Sequence, residues 1–138
     1  MFVNHKFTSS NLQVLSLFFL FLLILQACAT SPEEKIKAIA ESTQKACPLN
    51  IDEHTVMQKA EALLPEKTLK FTYTLKGTFG EDIKKEMSVA MKPILIERLQ
   101  QANEYTFYLE NEVNFEHLYL DTQGNTVMQI TLTPLDYK

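Results

Sequence analysis

The chain has 138 residues, and its 13 lysines and arginines are outnumbered by 17 aspartates and glutamates, which gives a net charge of −4. This length allows one domain with a modest core. Because cations such as Lys84 and Lys85 lie among anions such as Asp82 and Glu86, the composition excludes the clustered basic face that a nucleic-acid or anionic-lipid surface needs.

The N-terminus is dominated by an apolar run from Val14 to Leu25, which follows a short polar start with one cation, Lys6. A polar start, an apolar core and small residues at the exit predict a secretory signal. A spanning helix needs about 20 apolar residues, and this run is shorter. A single-pass anchor is therefore the less favoured alternative.

The signal ends in Leu25, Gln26, Ala27 and Cys28. This tetrapeptide resembles the lipobox of bacterial lipoproteins, whose cysteine receives a diacylglycerol thioether before the chain is cleaved just ahead of it. Three of the four residues match the pattern, and Gln26 departs from it. The resemblance implies a lipidated Cys28 and a permanent membrane anchor. Ordinary signal cleavage, with an incidental cysteine, is the alternative.

The resemblance also implies a division of the chain and a location. We expect a signal peptide over residues 1–27, a lipidated tether over residues 28–31 and a single α+β domain over residues 32–138. In the sorting logic of bacterial lipoproteins, Ala29 in place of an aspartate implies the periplasmic face of the outer membrane in a two-membrane bacterium.

Removal of the signal leaves Cys47 as the only thiol that carries no lipid. No intramolecular disulfide can then form, so packing must provide the stability. A small buried side chain at a helix end is the favoured interpretation of Cys47. A thiol that reacts or joins two chains is the alternative.

The first predicted element is a helix from Pro32 to Ala46. Ser31 offers an N-cap, proline suits the first helical position, and Glu34 is placed to close a capping box. Pro48 ends the helix, since the residue before a proline avoids helical torsions. One narrow apolar stripe is formed by Ile36, Ile39, Ala40 and Thr43.

Two runs of extended character follow the first helix. Residues 55–63 are less regular, and residues 60–62 within them would also suit a helix. Residues 69–76 alternate strictly between apolar and polar side chains, which predicts a strand with one buried face. Because residues 65–67 have turn character, we expect the two runs to pair as a β-hairpin.

The longest periodic segment begins at Glu81 and reaches Ala102, after a break at Gly77 and Gly80. Pro93 removes a backbone donor inside it, so we expect a kink or two abutting helices there. Its methionines indicate core filling rather than a soft metal site. The apolar residues at helical spacing are Ile83, Met87, Ala90, Met91, Ile94, Leu95 and Leu99.

The last part of the chain predicts a second β-hairpin. Residues 113–119 and residues 127–133 each alternate in hydropathy, and residues 121–125 between them have the composition of a turn. The element order is then α-β-β-α-β-β. It predicts an α+β fold with a four-stranded antiparallel sheet and two helices packed on one face.

Several structural motifs across most of the mature chain together resemble a group of small uncharacterised bacterial lipoproteins. The resemblance supports the fold and implies no activity. The motifs are Cys47-Pro48, Tyr73-Thr74-Leu75, Lys92-Pro93, Tyr119, Asp121, Gly124-Asn125 and Ile130-Thr131-Leu132-Thr133-Pro134.

His54 and His117 each follow an acidic residue in the sequence. Carboxylates and imidazoles are the side chains from which metal sites and acid–base pairs are built. Glu116 and His117 are neighbours on a predicted strand, however, so their side chains face opposite ways. His117 falls on the inward face with Phe115 and Tyr119, which favours a hydrogen-bonded core histidine. Without paired cysteines or a His-Glu-x-x-His pattern, we predict no catalytic residue, no metal and no cofactor.

The remaining candidate for a site is an aromatic cluster of Tyr105, Phe107 and Tyr108. If exposed, these rings would mark an interface with a protein or a glycan. The competing interpretation is that they cap the core between helix and sheet.

We therefore expect a non-enzymatic module, tethered to the membrane by its lipid, that binds an envelope protein or supports an envelope assembly. The alternative is an inhibitor or immunity-type protein that acts on an envelope enzyme, and the third possibility is an enzyme or small-ligand carrier. An exposed aromatic patch would favour the first, a protruding loop with one anchoring side chain the second, and a deep cavity lined by His or Glu the third.

Overall fold

The computed structural model describes residues 30–138. The predicted signal peptide over residues 1–27 and the predicted lipid on Cys28 lie outside the described residues. Within the described part, Pro32–Lys138 forms one compact unit. Among the helices of this part, none is long and apolar enough to span a membrane.

The described chain contains four helices and five strands, and the fold is mixed α+β as predicted. In chain order the elements are α1 (Pro32–Ala46), β1 (Leu49–Asn50), β2 (Thr55–Leu63), β3 (Thr68–Leu75), α2 (Glu81–Gln100), α3 (Tyr105–Glu110), β4 (Asn114–Leu120), β5 (Thr126–Leu132) and α4 (Pro134–Tyr137).

The five strands form one sheet in the order β1-β2-β3-β4-β5. Both predicted hairpins are present as antiparallel pairs, β2 with β3 and β4 with β5. The pair β3 and β4 is parallel, so the prediction of a wholly antiparallel, four-stranded sheet with two helices is wrong. The reason is the connection: a helical crossover returns the chain to the starting end of the sheet, and the next strand then runs in the same direction.

The inward face of the sheet is apolar and aromatic. In β4, Phe115, His117 and Tyr119 are buried and alternate with half-buried residues. Phe115 and Tyr119 join one core with buried residues of the two long helices, including Ile36 of α1 and Leu95 of α2. Both long helices therefore cover the same face of the sheet, as the alternation predicts.

Three helices differ from expectation in detail. Helix α2 continues through Pro93 as one element, so the predicted alternative of two abutting helices is wrong. The aromatic-rich stretch after it forms the short helix α3. A four-residue helix, α4, begins at Pro134 and carries the fully buried Tyr137. These short helices bring aromatic rings from outside the sheet against the core.

Candidate functional site

A cavity of about 380 Å³ lies between α2 and the inward face of the sheet. This volume is at the lower end of the range for small-molecule sites. Most of its wall is apolar. The sheet contributes Met57, Phe71, Phe115 and Leu132, and α2 contributes Met91, Ile94, Leu95 and Leu99.

One polar pair lies inside the cavity wall, formed by Tyr73 of β3 and His117 of β4. The hydroxyl of Tyr73 is 3.1 Å from Nδ1 of His117, within hydrogen-bond distance. The parallel register places His117 opposite Phe71 and Tyr119 opposite Tyr73, so the side chains of the pair reach each other across neighbouring strands. The expectation of a hydrogen-bonded core histidine is confirmed.

Burial sets the ionisation of this pair. His117 is 8% exposed, and desolvation lowers its pKa to about 4. Burial also raises the pKa of Tyr73 well above its usual value. Both side chains are therefore neutral at pH 7, and the inner end of the cavity carries no charge.

Arg98 of α2 contributes to the cavity lining and is itself exposed. Its guanidinium has no carboxylate within 4.0 Å among residues 30–138. Its positive charge nevertheless reaches the cavity, because it opposes the increase in pKa that burial causes in Tyr73 and Tyr119. Among the described residues, this cation at the mouth of the cavity therefore has no ion-pair partner.

Asp52 also lines the cavity, and its charged carboxylate is hydrogen-bonded to the neighbouring backbone. Its Oδ1 accepts a hydrogen bond from the backbone N–H of His54 at 2.8 Å, and this bond is the main reason why the pKa of Asp52 is lowered. Two partly exposed apolar residues complete the rim, Ile51 at 37% and Ile94 at 43% exposed.

The three rings of the predicted aromatic cluster have different surroundings. Tyr108 is 6% exposed and lines the cavity, and burial raises its pKa to about 12. Tyr105 and Phe107 are half-buried. The hydroxyl of Tyr105 donates to the carbonyl of Tyr137 at 2.7 Å, and Nζ of Lys35 lies 4.0 Å from the centre of the Phe107 ring. Partner binding at this cluster stays a prediction.

The other candidates from the sequence lie apart from the cavity wall. His54 is exposed before β2, and it is absent from the lining. Cys47 is half-buried at the end of α1, and its Sγ donates to the carbonyl of Thr43 at 3.4 Å. No three His, Cys, Asp or Glu side chains of residues 30–138 are grouped to hold a metal ion.

Sequence reasoning missed Arg98 and the cavity itself. Arg98 is the only arginine of the chain, and it lies between Leu95 and Leu99 of the apolar stripe of α2. The one sequence feature that could have indicated its role is a single cation at the border of a buried apolar stripe. The cavity has no local signal because its lining comes from separate strands and helices.

Solved structures with this fold include two pilotins. The pilotin EpsS of the Vibrio vulnificus type 2 secretion system aligns with a TM-score of 0.58 and 7% identity, over 78% of this chain and 92% of that chain. The type II secretion system pilotin AspS of Vibrio cholerae aligns with a TM-score of 0.55 and 12% identity, over 76% of this chain and 91% of that chain.

A candidate secreted protein of Pseudomonas aeruginosa aligns with a TM-score of 0.64 and 10% identity, over 78% of this chain and 93% of that chain. These likenesses show a shared fold. No curated protein matches the sequence. A family model described as a domain of unknown function, DUF8479, matches residues 30–128, which is most of the chain. The chain therefore belongs to the DUF8479 family.

Proposed function

We propose that this protein is a non-enzymatic lipoprotein of the cell envelope that binds another envelope protein or assists an envelope assembly. The observation that carries the proposal is the fold shared with two type II secretion pilotins, each aligned over more than nine-tenths of its length. Cleavage before Cys28, its acylation and a position on the periplasmic face of the outer membrane belong to the same proposal.

The chemistry of the cavity supports a binding role rather than a catalytic one. A general base works best when its pKa is near the ambient pH. The pKa of His117 is held at about 4, and its Nδ1 is within hydrogen-bond distance of Tyr73. The imidazole is therefore a weak base whose nearer nitrogen already has a partner.

We place the partner surface at the aromatic cluster of Tyr105, Phe107 and Tyr108. Tyr108 is buried beneath the surface, while Tyr105 and Phe107 each keep part of the ring accessible. The hydrogen bond from Tyr105 to the carbonyl of Tyr137 fixes the first of these rings. Rigid aromatic rings offer apolar contact area at low cost in conformational entropy, which suits an interface.

Site-specific photocrosslinking in living bacteria tests this proposal. A photoreactive amino acid replaces Phe107 in the full chain, and the matched control replaces Gln123, which is exposed in the turn between β4 and β5. We expect the Phe107 position to give a discrete product with an envelope protein and the Gln123 position to give none. Identical products from both positions, or none from Phe107, would contradict the proposed surface.

A small-ligand carrier is the second candidate function, and one observation favours it. The cavity of about 380 Å³ is lined by a buried histidine, which is the feature expected of a carrier rather than of a purely protein-binding module. A protein of the envelope can have both roles, since the aromatic rings Tyr105 and Phe107 are outside the cavity lining.

A further inference from the structure

The interior of the cavity is mostly apolar and carries no charged side chain. Two of its buried side chains, Tyr73 and His117, lie within hydrogen-bond distance of each other, and the hydroxyls of the buried Tyr108 and Tyr119 also belong to residues of the lining. Burial keeps Tyr73 and His117 neutral. Most of the remaining wall is aromatic or aliphatic, and it includes Met57 and Met91, whose flexible side chains adapt to irregular shapes. An uncharged, apolar group therefore fits the interior best.

The mouth has the opposite requirement. Arg98 lines it and has no carboxylate within ion-pair distance in the described part of the chain. The one acid in the lining, Asp52, accepts the backbone N–H of His54. An arginine guanidinium matches the geometry of a carboxylate, to which it can donate two parallel hydrogen bonds. A ligand with an anionic end would place that end here.

We propose that the cavity binds a single alkyl chain that ends in a carboxylate, with the chain against the inward face of the sheet and the carboxylate on Arg98. If a methylene is taken as roughly as large as a water molecule, roughly 30 Å³, the volume of about 380 Å³ accommodates roughly a dozen carbons. The ligand class is therefore a medium-chain fatty acid. This site shares only the buried Tyr108 with the partner surface proposed above, and ligand binding does not depend on the partner.

Photoaffinity labelling of the full mature chain in lipid nanodiscs tests the proposal. Two probes carry the same dodecyl chain and the same diazirine, and they differ only in the head group, which is a carboxylate or a trimethylammonium. We expect the carboxylate probe to label segments around Met57 and Met91 saturably, about 5-fold more than the cationic probe. Equal labelling by both probes, or labelling outside the cavity wall, would overturn the proposal.

Charge reversal on α2 gives the matched pair of variants. Arg98→Glu is expected to lower labelling by the carboxylate probe about 5-fold. Lys85→Glu makes the same charge change at another exposed position of the helix that does not line the cavity, and labelling should stay within about 2-fold of wild type. If the two variants behave alike, the head group recognises the general field of the protein rather than Arg98, and the proposal is wrong.

Chain length provides a second test of the cavity. Each methylene that is buried should tighten competition by an unlabelled fatty acid about 4-fold, and the gain should stop near 12 carbons because the cavity is then full. Competition that keeps strengthening to 16 carbons at the same increment would contradict binding inside a cavity of this size.

Ala102→Phe, which adds a ring at the lining, should abolish labelling while the circular dichroism spectrum is retained.

The outcomes distinguish this proposal from the proposed function. Crosslinking from Phe107 to an envelope protein is measured in wild type and in Arg98→Glu. Loss of lipid labelling with an unchanged protein crosslink is expected if the two sites are separate. Lipid labelling without any protein crosslink would support the cavity ligand and contradict the proposed protein partner.

Discussion

At the scale of single residues, His117 shows how a polar side chain is accommodated in an aromatic core. Its ring centre lies 5.4 Å from that of Phe71 and 5.9 Å from that of Tyr73, and its Nδ1 is near the Tyr73 hydroxyl. A buried polar group without a partner would cost folding free energy. The neighbouring tyrosine removes that cost only while the imidazole is uncharged.

Stability should therefore depend on pH through His117. The unfolded side chain titrates near 6.5, whereas burial lowers the folded pKa to about 4. Protons thus bind the unfolded state more readily, so this contribution is complete above about pH 6.5 and is lost as the pH falls through about 4. Urea unfolding should show a loss of about 3 kcal/mol from this group between pH 7 and pH 4.

Two substitutions isolate that contribution from the carboxylates, which titrate in the same range. In His117→Gln, the fall in unfolding free energy between pH 7 and pH 4 should be smaller than in wild type by about 3 kcal/mol. In His54→Gln, at an exposed histidine, it should be unchanged. If His117→Gln retains the full pH dependence, the assignment to His117 is wrong.

At the scale of elements, helix α4 depends on tertiary contacts, because four residues are too few for an independent helix. Tyr137 is fully buried, and its hydroxyl donates to the carbonyls of Val113 at 2.5 Å and Tyr108 at 3.2 Å. Its own carbonyl accepts hydrogen bonds from Tyr105 at 2.7 Å and from Gln100 at 3.2 Å. One residue therefore connects α4 to α2 through its backbone carbonyl, to α3 through its carbonyl and its hydroxyl, and to Val113, just before β4, through its hydroxyl.

Replacement of that side chain should be costly. Tyr137→Ala is expected to lower the free energy of unfolding by about 3–5 kcal/mol, because it leaves a cavity and removes the hydroxyl that donates to the carbonyl of Val113. Leu135→Ala in the same helix is the control, since Leu135 is 84% exposed, and its effect should stay within about 0.5 kcal/mol. Similar urea midpoints for the two variants would contradict this account of α4.

The elements that could be predicted from the sequence are those with a local cause. Helix α1 begins at Pro32 and ends at Ala46 as predicted, because a proline suits its first position and the later Pro48 terminates it. Strand β3 has the predicted alternation. The short helix α3 was not predicted, since its tyrosines and phenylalanine favour strands when considered alone.

The sheet order and the cavity could not be predicted in the same way. Parallel pairing of β3 with β4 depends on where α2 and α3 deliver the chain, and no pattern within either strand encodes that position. The Tyr73 and His117 pair follows from this register. The sequence predicts that a buried histidine has a hydrogen-bond partner, but it does not identify Tyr73 as that partner.

At the scale of the whole molecule, the proposed lipid on Cys28 would decide where the domain acts. Intact mass spectrometry of the purified protein should show a chain that begins at Cys28 and carries acyl groups. Cys28→Ser should retain residues 1–27 and lose incorporation of labelled palmitate, whereas Cys47→Ser should leave both processing and labelling unchanged. A mature chain with Met1 still attached, or with a bare Cys28, would contradict the anchor.

The parallel pairing of β3 with β4 also divides the domain into two halves. Neither half alone can satisfy the backbone hydrogen-bonding groups along this pair of strand edges. The first half ends with β3, which pairs with β2 on one side and with β4 on the other. The second half has the complementary open edge on β4. A chain cut between Gly77 and Gly80 would thus yield two fragments whose exposed backbone groups match in register. We expect that reassociation of the two fragments, and not independent folding of either one, would restore the native sheet.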